Sequence, residues 1–330
     1  MLILAKAMMA IMLGFVGAII CGLIIIPLFR KNNIGQTINT LISKKHLKKN
    51  GTPTMGGIIF IIPVLLALMY LYFTKSINIS YNLVILLFVF LAYAFLGFLD
   101  DFIKVKNKDN RGLSLVTKFL LQMAIALIFF ILYLKGGGSQ DLTLSFLNFK
   151  INLNWGFGLF IFLLLVGTSN AVNITDGLDG LAGGLSAIAF LAYGIIAWNC
   201  SWLTGYQEIA IFCFILTGAL IGFLMFNSHP AKIFMGDLGS LALGAALATI
   251  AILTRHEFSL ALIGGVFLIE VLSSLIQIIA IRRYKKRVFK KAPLHHHFEE
   301  LKWEETDIVK LFWTAGLMFA MIAIIYGVWL

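Results

Sequence analysis

The sequence predicts an all-α polytopic membrane protein: one integral membrane domain over residues 1–330, with about ten transmembrane helices. Of the 330 residues, 60% are hydrophobic and only 12% charged, and the mean hydropathy is +0.96, outside the range of a soluble domain. Apolar runs of roughly 20 residues, long enough to cross a bilayer as helices, recur along the chain. Lysine and arginine gather in alternate connections, as they do in multi-pass proteins.

Residues 7–28 form the first run. It is too long for the hydrophobic stretch of a cleavable leader, and basic residues follow it rather than precede it. A basic connection, 29–55, leads to runs at 56–73, 82–99 and 115–134. Residues 135–155 are more polar. There Leu142, Leu144 and Phe146, then Ile151, Leu153 and Trp155, alternate with polar neighbours, which predicts a small β-hairpin. Further runs lie at 156–172, 181–198, 208–226, 238–253 and 259–281. A polar stretch, 282–307, precedes the last run at 308–330. No internal repeat or low-complexity tract interrupts this order.

Connections after odd-numbered runs hold 19 lysines and arginines, and those on the opposite side hold four. The basic side is therefore expected in the cytosol, with both termini and the hairpin extracytoplasmic. This asymmetry accounts for the net charge of +11 without a nucleic-acid partner. Cys21, Cys200 and Cys213 sit in or beside apolar runs and suggest neither a disulfide framework nor a zinc site.

The polar motifs all fall on the cytosolic side. The richest is NAVNITDGLDGLAGG, residues 170–184. Asn170, Asn173, Asp176 and Asp179 recur every three residues, which places them near one face of a helical backbone. Glycines at 177, 180, 183 and 184 are expected to break the helix and let backbone approach a ligand. Acids are costly beside lipid, so these should face water, a partner or a metal. Asp100 and Asp101 are expected to end the third helix, where the negative pole disfavours two acids. Lys104, a cation, or both should offset them. KNGTPTMGG, residues 49–57, joins Lys49, Thr54 and permissive backbone ahead of a helix, a setting that suits phosphate. FMGDLGS, residues 234–240, brings Asp237 and Ser240 to the start of the eighth run. His295, His296 and His297 follow Pro293; three consecutive histidines do not easily converge on one zinc ion. Glu270 and Gln277 lie in the ninth run and should face the protein or the site.

Each motif alone has a plainer reading: a polar turn, a paired helix end, a loop capping the next helix, an N-cap aspartate. Together they put carboxylates beside Lys104, Lys118 and the histidines, with no thiolates. Such a donor set favours a hard cation such as magnesium, and lysines suit the remaining phosphate charge. This is the equipment of phosphoryl transfer.

KNGTPTMGG, FLDDFIK, NAVNITDGLDGLAGG, FMGDLGS and APLHHHFE, in this order, closely resemble the phospho-N-acetylmuramoyl-pentapeptide transferase family. The aspartate pair and DGLDG resemble the larger group of polyprenyl-phosphate hexosamine-phosphate transferases, and the histidine run resembles the muramoyl branch. Leu41 and Ile42 stand where the family pattern has Gly-Pro, and Lys302 where it has glycine; all lie outside the motifs. The resemblance implies attack of undecaprenyl phosphate on the β-phosphate of UDP-N-acetylmuramoyl-pentapeptide, giving lipid I and UMP, with Mg2+ required. It implies Asp237 as magnesium ligand, Asp100 as base or lipid-phosphate positioner, and Asp101 as its essential neighbour. Asn173, Asp176, Gly177, Leu178 and Asp179 correspond to the nucleoside pocket, with Phe234 stacking on uracil. Lys49, Asn227 and Gln277 correspond to nucleotide-side positions, and His296, with His295 and His297, to residues around the phosphates. Thr54, Lys104, Lys118, Asn170 and Ser240 complete the candidate substrate-binding set. A homodimer in the bacterial plasma membrane is implied as well. Two other readings are a sister transferase that uses a UDP-hexosamine without peptide and an ion-coupled transporter. Against the transporter, the acids lie at helix ends rather than at mid-membrane.

Overall fold

A computed structural model describes residues 2–32, 35, 51–108, 111–144 and 149–329. Helices α1 (Leu2–Lys31), α2 (Ile58–Phe73), α3 (Tyr81–Asn107) and α4 (Leu115–Lys135) precede a hairpin of β1 (Asp141–Leu144) and β2 (Phe149–Asn152). Then come α5 (Gly156–Thr175), α6 (Leu181–Asn199), α7 (Tyr206–Asn227), α8 (Gly236–Leu253), α9 (Glu257–Ile263), α10 (Gly265–Ile279), α11 (Leu294–Glu300) and α12 (Glu305–Trp329). Among the described residues, nine helices are long and apolar enough to cross a membrane. The tenth expected run, α2, has 16 residues and contains Pro63, so its helix alone spans only about 24 Å at roughly 1.5 Å per residue.

The expected third span is longer than the apolar run suggested. Asp100 and Asp101 do not end α3, which continues past them to Asn107 and closes on left-handed Lys108. The expected ninth span is broken at Gly264, where α9 gives way to α10. Its end towards the basic stretch after residue 281 widens into a π-helical turn, Ala280–Tyr284. Ser80 and Ser114 cap α3 and α4, their hydroxyls accepting from the N–H groups of Leu83 and Thr117. The hairpin is antiparallel and pairs Asp141 with Asn152 and Leu142 with Ile151; Phe146 lies outside the described residues.

The apolar core centres on α6, α7 and α8, which are buried over most of their length. Around them α1, α4, α5 and α12 leave large apolar side chains exposed, as lipid-facing helices do. Close backbone approach joins α1 to α7: a Cβ on Gly14 would collide with the Ile215 carbonyl, and one on Gly218 with the Ile11 carbonyl. The three cysteines are free.

Candidate active site

The site is built where α3, α4, α5 and α8 meet at the end of the bundle bearing the basic connections. Asp100 and Asp101, each 3% exposed, face inward from α3. Asp237 arrives in the first turn of α8, where the positive end of that helix favours an acid. Ligand oxygens of these three carboxylates lie within 4.8 Å of one another. Lys104, one turn beyond Asp100, brings Nζ to 2.6 Å from Asp100 Oδ2, 3.7 Å from Asp101 Oδ1 and 3.1 Å from Asp237 Oδ2. Lys118, from the first turn of α4, reaches 2.8 Å from Asp237 Oδ2 and 4.0 Å from Asp100 Oδ1. Two cations thus offset three acids, as buried charges require.

Backbone and amide donors fix the remaining oxygens. The Leu113 N–H donates to Asp100 Oδ1 at 2.9 Å, and the Leu238 N–H to Asp101 Oδ2 at 3.1 Å. Asn173 Nδ2 donates at 2.8 Å to both Asp237 Oδ1 and Ser240 Oγ. Ser240 in turn donates to the Gly236 carbonyl at 3.0 Å. An all-oxygen donor set in this geometry fits a hard divalent cation. The first turns of α4 also carry the strongly exposed Leu115, Val116, Phe119 and Leu120, so an apolar surface borders Lys118.

The 170–184 motif divides rather than presenting one face. Asn173 joins the carboxylates. Asn170 instead donates to the Val166 carbonyl at 2.8 Å and to Gln122 Oε1 at 3.4 Å, away from them. The helix breaks at residues 176–180, but Gly183 and Gly184 lie inside α6 rather than in the break. Asp176 is half-buried at the end of α5. Desolvation, with Asp237, Asp101 and Asp179 adding negative charge, pushes its carboxyl up to about 8. Leu178 is buried and Gly177 exposed.

Asp179 turns to a second cluster. Its Oδ2 lies 3.0 Å from His229 Nδ1 and accepts the Ala231 N–H, while its own N–H donates to Glu305 Oε1 at 2.7 Å. Asn227 ties two loops together: Oδ1 accepts the Gly180 N–H and Nδ2 donates to the Ile233 carbonyl. Phe234 is half-buried. Its N–H donates to the Pro53 carbonyl and its carbonyl accepts the Gly56 N–H, which stitches the segment bearing buried Thr54 to the start of α8. Lys49 lies outside the described residues.

The three histidines diverge. His295 pairs with buried Glu270. His296 Nδ1 lies 2.5 Å from Glu299 Oε2, and burial pulls its pKa below the ordinary imidazole value. His297 Nδ1 accepts the Lys290 N–H. Gln277 is spent on the same loop: Oε1 accepts the N–H groups of Val288 and Phe289, and Nε2 donates to the Phe289 carbonyl. Sequence reasoning missed His229 and Glu305, and it gave Glu270 no role. The signal for His229 was thin, one histidine two residues beyond Asn227. For Glu305 it was one acid among several before the last helix.

Comparison with known proteins adds an independent line. Residues 82–255 match the family described as Glycosyl transferase family 4, and residues 49–61 match Phospho-N-acetylmuramoyl-pentapeptide-transferase signature 1. Over 322 residues, 98% of each chain, the sequence is 48% identical to a protein of Geobacillus sp. (strain WCH70) named Phospho-N-acetylmuramoyl-pentapeptide-transferase. Proteins of the same name from Halalkalibacterium halodurans, over 98% of each chain, and Bacillus subtilis (strain 168), over 97% of each, are 46% identical.

Proposed function

The chain belongs to the phospho-N-acetylmuramoyl-pentapeptide-transferase family, and on that premise we propose that it joins phospho-N-acetylmuramoyl-pentapeptide from its UDP carrier to undecaprenyl phosphate, forming lipid I and UMP. It is a multi-pass membrane phosphoglycosyl transferase of peptidoglycan synthesis, a single domain in the bacterial plasma membrane with its site facing the cytosol. A homodimer is the assembly that the resemblance supports.

The observation that carries this reading is the convergence of Asp100, Asp101 and Asp237 with Lys104 and Lys118. Asp237 would hold Mg2+, with Asp100 and Asp101 beside it. A magnesium ion there would neutralise the diphosphate and stabilise departing UMP. The residues do the rest. Lys104 and Lys118 attract phosphate oxygens, and Asn173 with Ser240 keeps Asp237 turned into the site. The acceptor is a phosphomonoester with a second pKa of about 6, already largely ionised at neutral pH. Asp100 therefore serves to position the acceptor phosphate through Lys104 rather than to remove a proton. Asp176, Gly177, Leu178, Asp179 and Phe234, with Lys49, hold the nucleoside. Asn227 and Gln277 support that surface by fixing its loops. Thr54 is buried in the segment hydrogen-bonded to Phe234, and the resemblance assigns His296 and His297 to the phosphates. Asn170 acts at a distance, through α4 and α5.

Between α10 and residues 287–292 lies a cavity of about 560 Å³, lined in part by Arg287, Lys290 and Lys291. This basic surface suits the carboxylates of the peptide arm. UMP release by purified protein with undecaprenyl phosphate tests the reading. UDP-N-acetylmuramoyl-pentapeptide should outrun UDP-N-acetylglucosamine by at least about a hundredfold, roughly 2.7 kcal/mol of transition-state preference. Equal rates would favour the sister transferase.

A further inference from the structure

Glu270 and His295 stand behind the DGLDG turn. Glu270, on α10, is 0% exposed, and His295, in the first turn of α11, is 1% exposed. Both oxygens of Glu270 serve this one histidine: Oε1 accepts its backbone N–H at 3.1 Å, and Oε2 lies 2.9 Å from Nδ1. An ionised carboxylate only accepts hydrogen bonds, so a proton resides on Nδ1, and in the neutral ring Nε2 then keeps its lone pair. That Nε2 is buried with no hydrogen-bond partner among the described residues, a costly condition for a polar atom. It lies against Gly177: a Cβ added there would collide with Nε2. Rotating the ring would set a carbon opposite Glu270, and the His296 ring, 4.2 Å away between centroids, packs beside it. Glu299 holds His296 in place in turn.

We propose that Glu270 is a positioning residue that fixes His295 with Nδ1 protonated and Nε2 turned to the Gly177 turn, so that Nε2 accepts a hydrogen bond from a hydroxyl of the donor's nucleoside. This rests on the reading of that turn as the nucleoside pocket. Gly177 is then required for two reasons: its bare Cα lets the ring abut the turn, and it leaves the lone pair within reach of a ligand seated there. A ribose hydroxyl or the uracil N3–H can donate to such a lone pair, and phosphate oxygens, being acceptors, cannot; deoxy-nucleotides separate the first two.

Glu270→Gln preserves shape but reverses the pattern. The amide oxygen accepts the His295 N–H, and the amide nitrogen donates to Nδ1, which moves the ring proton to Nε2. His295→Asn keeps a donor facing Glu270 and deletes Nε2 altogether. In 15N spectra of histidine-labelled protein, the His295 signal should change from the Nδ1–H to the Nε2–H form in Glu270→Gln. By calorimetry with UMP, both variants should bind at least about tenfold more weakly, and the double variant no more weakly than His295→Asn alone. Wild-type protein should bind one of 2′-deoxy- or 3′-deoxy-UMP about tenfold more weakly than UMP, and the variants should lose that discrimination. An unchanged tautomer, UMP affinity within about twofold of wild type in His295→Asn, or additive losses in the double variant would overturn the proposal. Wild-type protein that binds no UMP would refute the nucleotide reading itself, and the 15N spectrum would then still decide whether Glu270 sets the tautomer.

Discussion

Replacing Asp237 by asparagine separates the charge of the central carboxylate from its shape. In the structure Asp237 Oδ2 receives Lys118 at 2.8 Å and Lys104 at 3.1 Å, while Oδ1 receives Asn173 at 2.8 Å. In the variant the amide oxygen can still face the two ammonium groups. The amide nitrogen must then face Asn173, whose own amide can turn over, with the Ser240 hydroxyl reorienting to suit. Every polar atom keeps a partner, so the fold should persist. The charge is lost, however. Lys104 retains the Asp100 carboxylate at 2.6 Å, but for Lys118 the carboxylate that remains among the described residues is that of Asp100, at 4.0 Å. Removing one preorganised electrostatic group from such a site costs about 10²–10³ in kcat, roughly 2.7–4 kcal/mol. UMP release at saturating donor and acceptor, with magnesium varied, should show at least a hundredfold loss that extra magnesium does not restore, in protein that elutes and melts like wild type. Turnover within about tenfold of wild type at low magnesium would refute the assignment of Asp237 to the metal and the phosphates.

Two further outcomes follow. In a background without Cys21, Cys200 and Cys213, a cysteine at Lys285 should resist an impermeant thiol reagent in intact cells while one at Lys150 in the hairpin reacts; the reverse pattern would invert the topology. Asp176, held at about 8, is neutral at pH 7 and ionises as pH rises through that value. Nucleotide affinity should therefore weaken above pH 8 as like charges accumulate, and Asp176→Asn should remove that drop; an identical pH profile in the variant would discount Asp176.

What the sequence disclosed depended on the scale of the physics involved. Bilayer thickness imposes long apolar runs, so most spans were legible to within a few residues, and the alternation at 142–155 disclosed the hairpin. Helix ends were less so, because hydropathy stops at Leu99 while backbone hydrogen bonding carries α3 on to Asn107. Gly264 breaks a span without any change in hydropathy. In the site, Asp100, Asp101, Asp237 and Asn173 were found by residue type and by facing one side of the membrane. Regular spacing misled at Asp179, because a three-residue repeat places side chains on one face only while the helix lasts; Asn170, still inside α5, is turned aside by its hydrogen bonds to the Val166 carbonyl and Gln122. The pairing of Glu270 with His295, 25 residues apart, leaves no local pattern. Gln277 and Asn227 share this difficulty, since an amide that fixes a loop and one that touches a ligand read alike in sequence.

Lys118 reaches the carboxylates from a turn whose neighbours Leu115, Val116, Phe119 and Leu120 lie bare. On the proposed reading, an acceptor can keep its polyprenyl tail along α4 while its phosphate meets Lys118, so it need never leave the bilayer. One substrate is then counted per unit area and the other per unit volume. Adding inert lipid or detergent at constant acceptor should slow the reaction by surface dilution, although the bulk acceptor concentration has not changed. The donor should show no such dependence. A Michaelis constant for the acceptor therefore has meaning only as a mole fraction of the surface in which the protein sits.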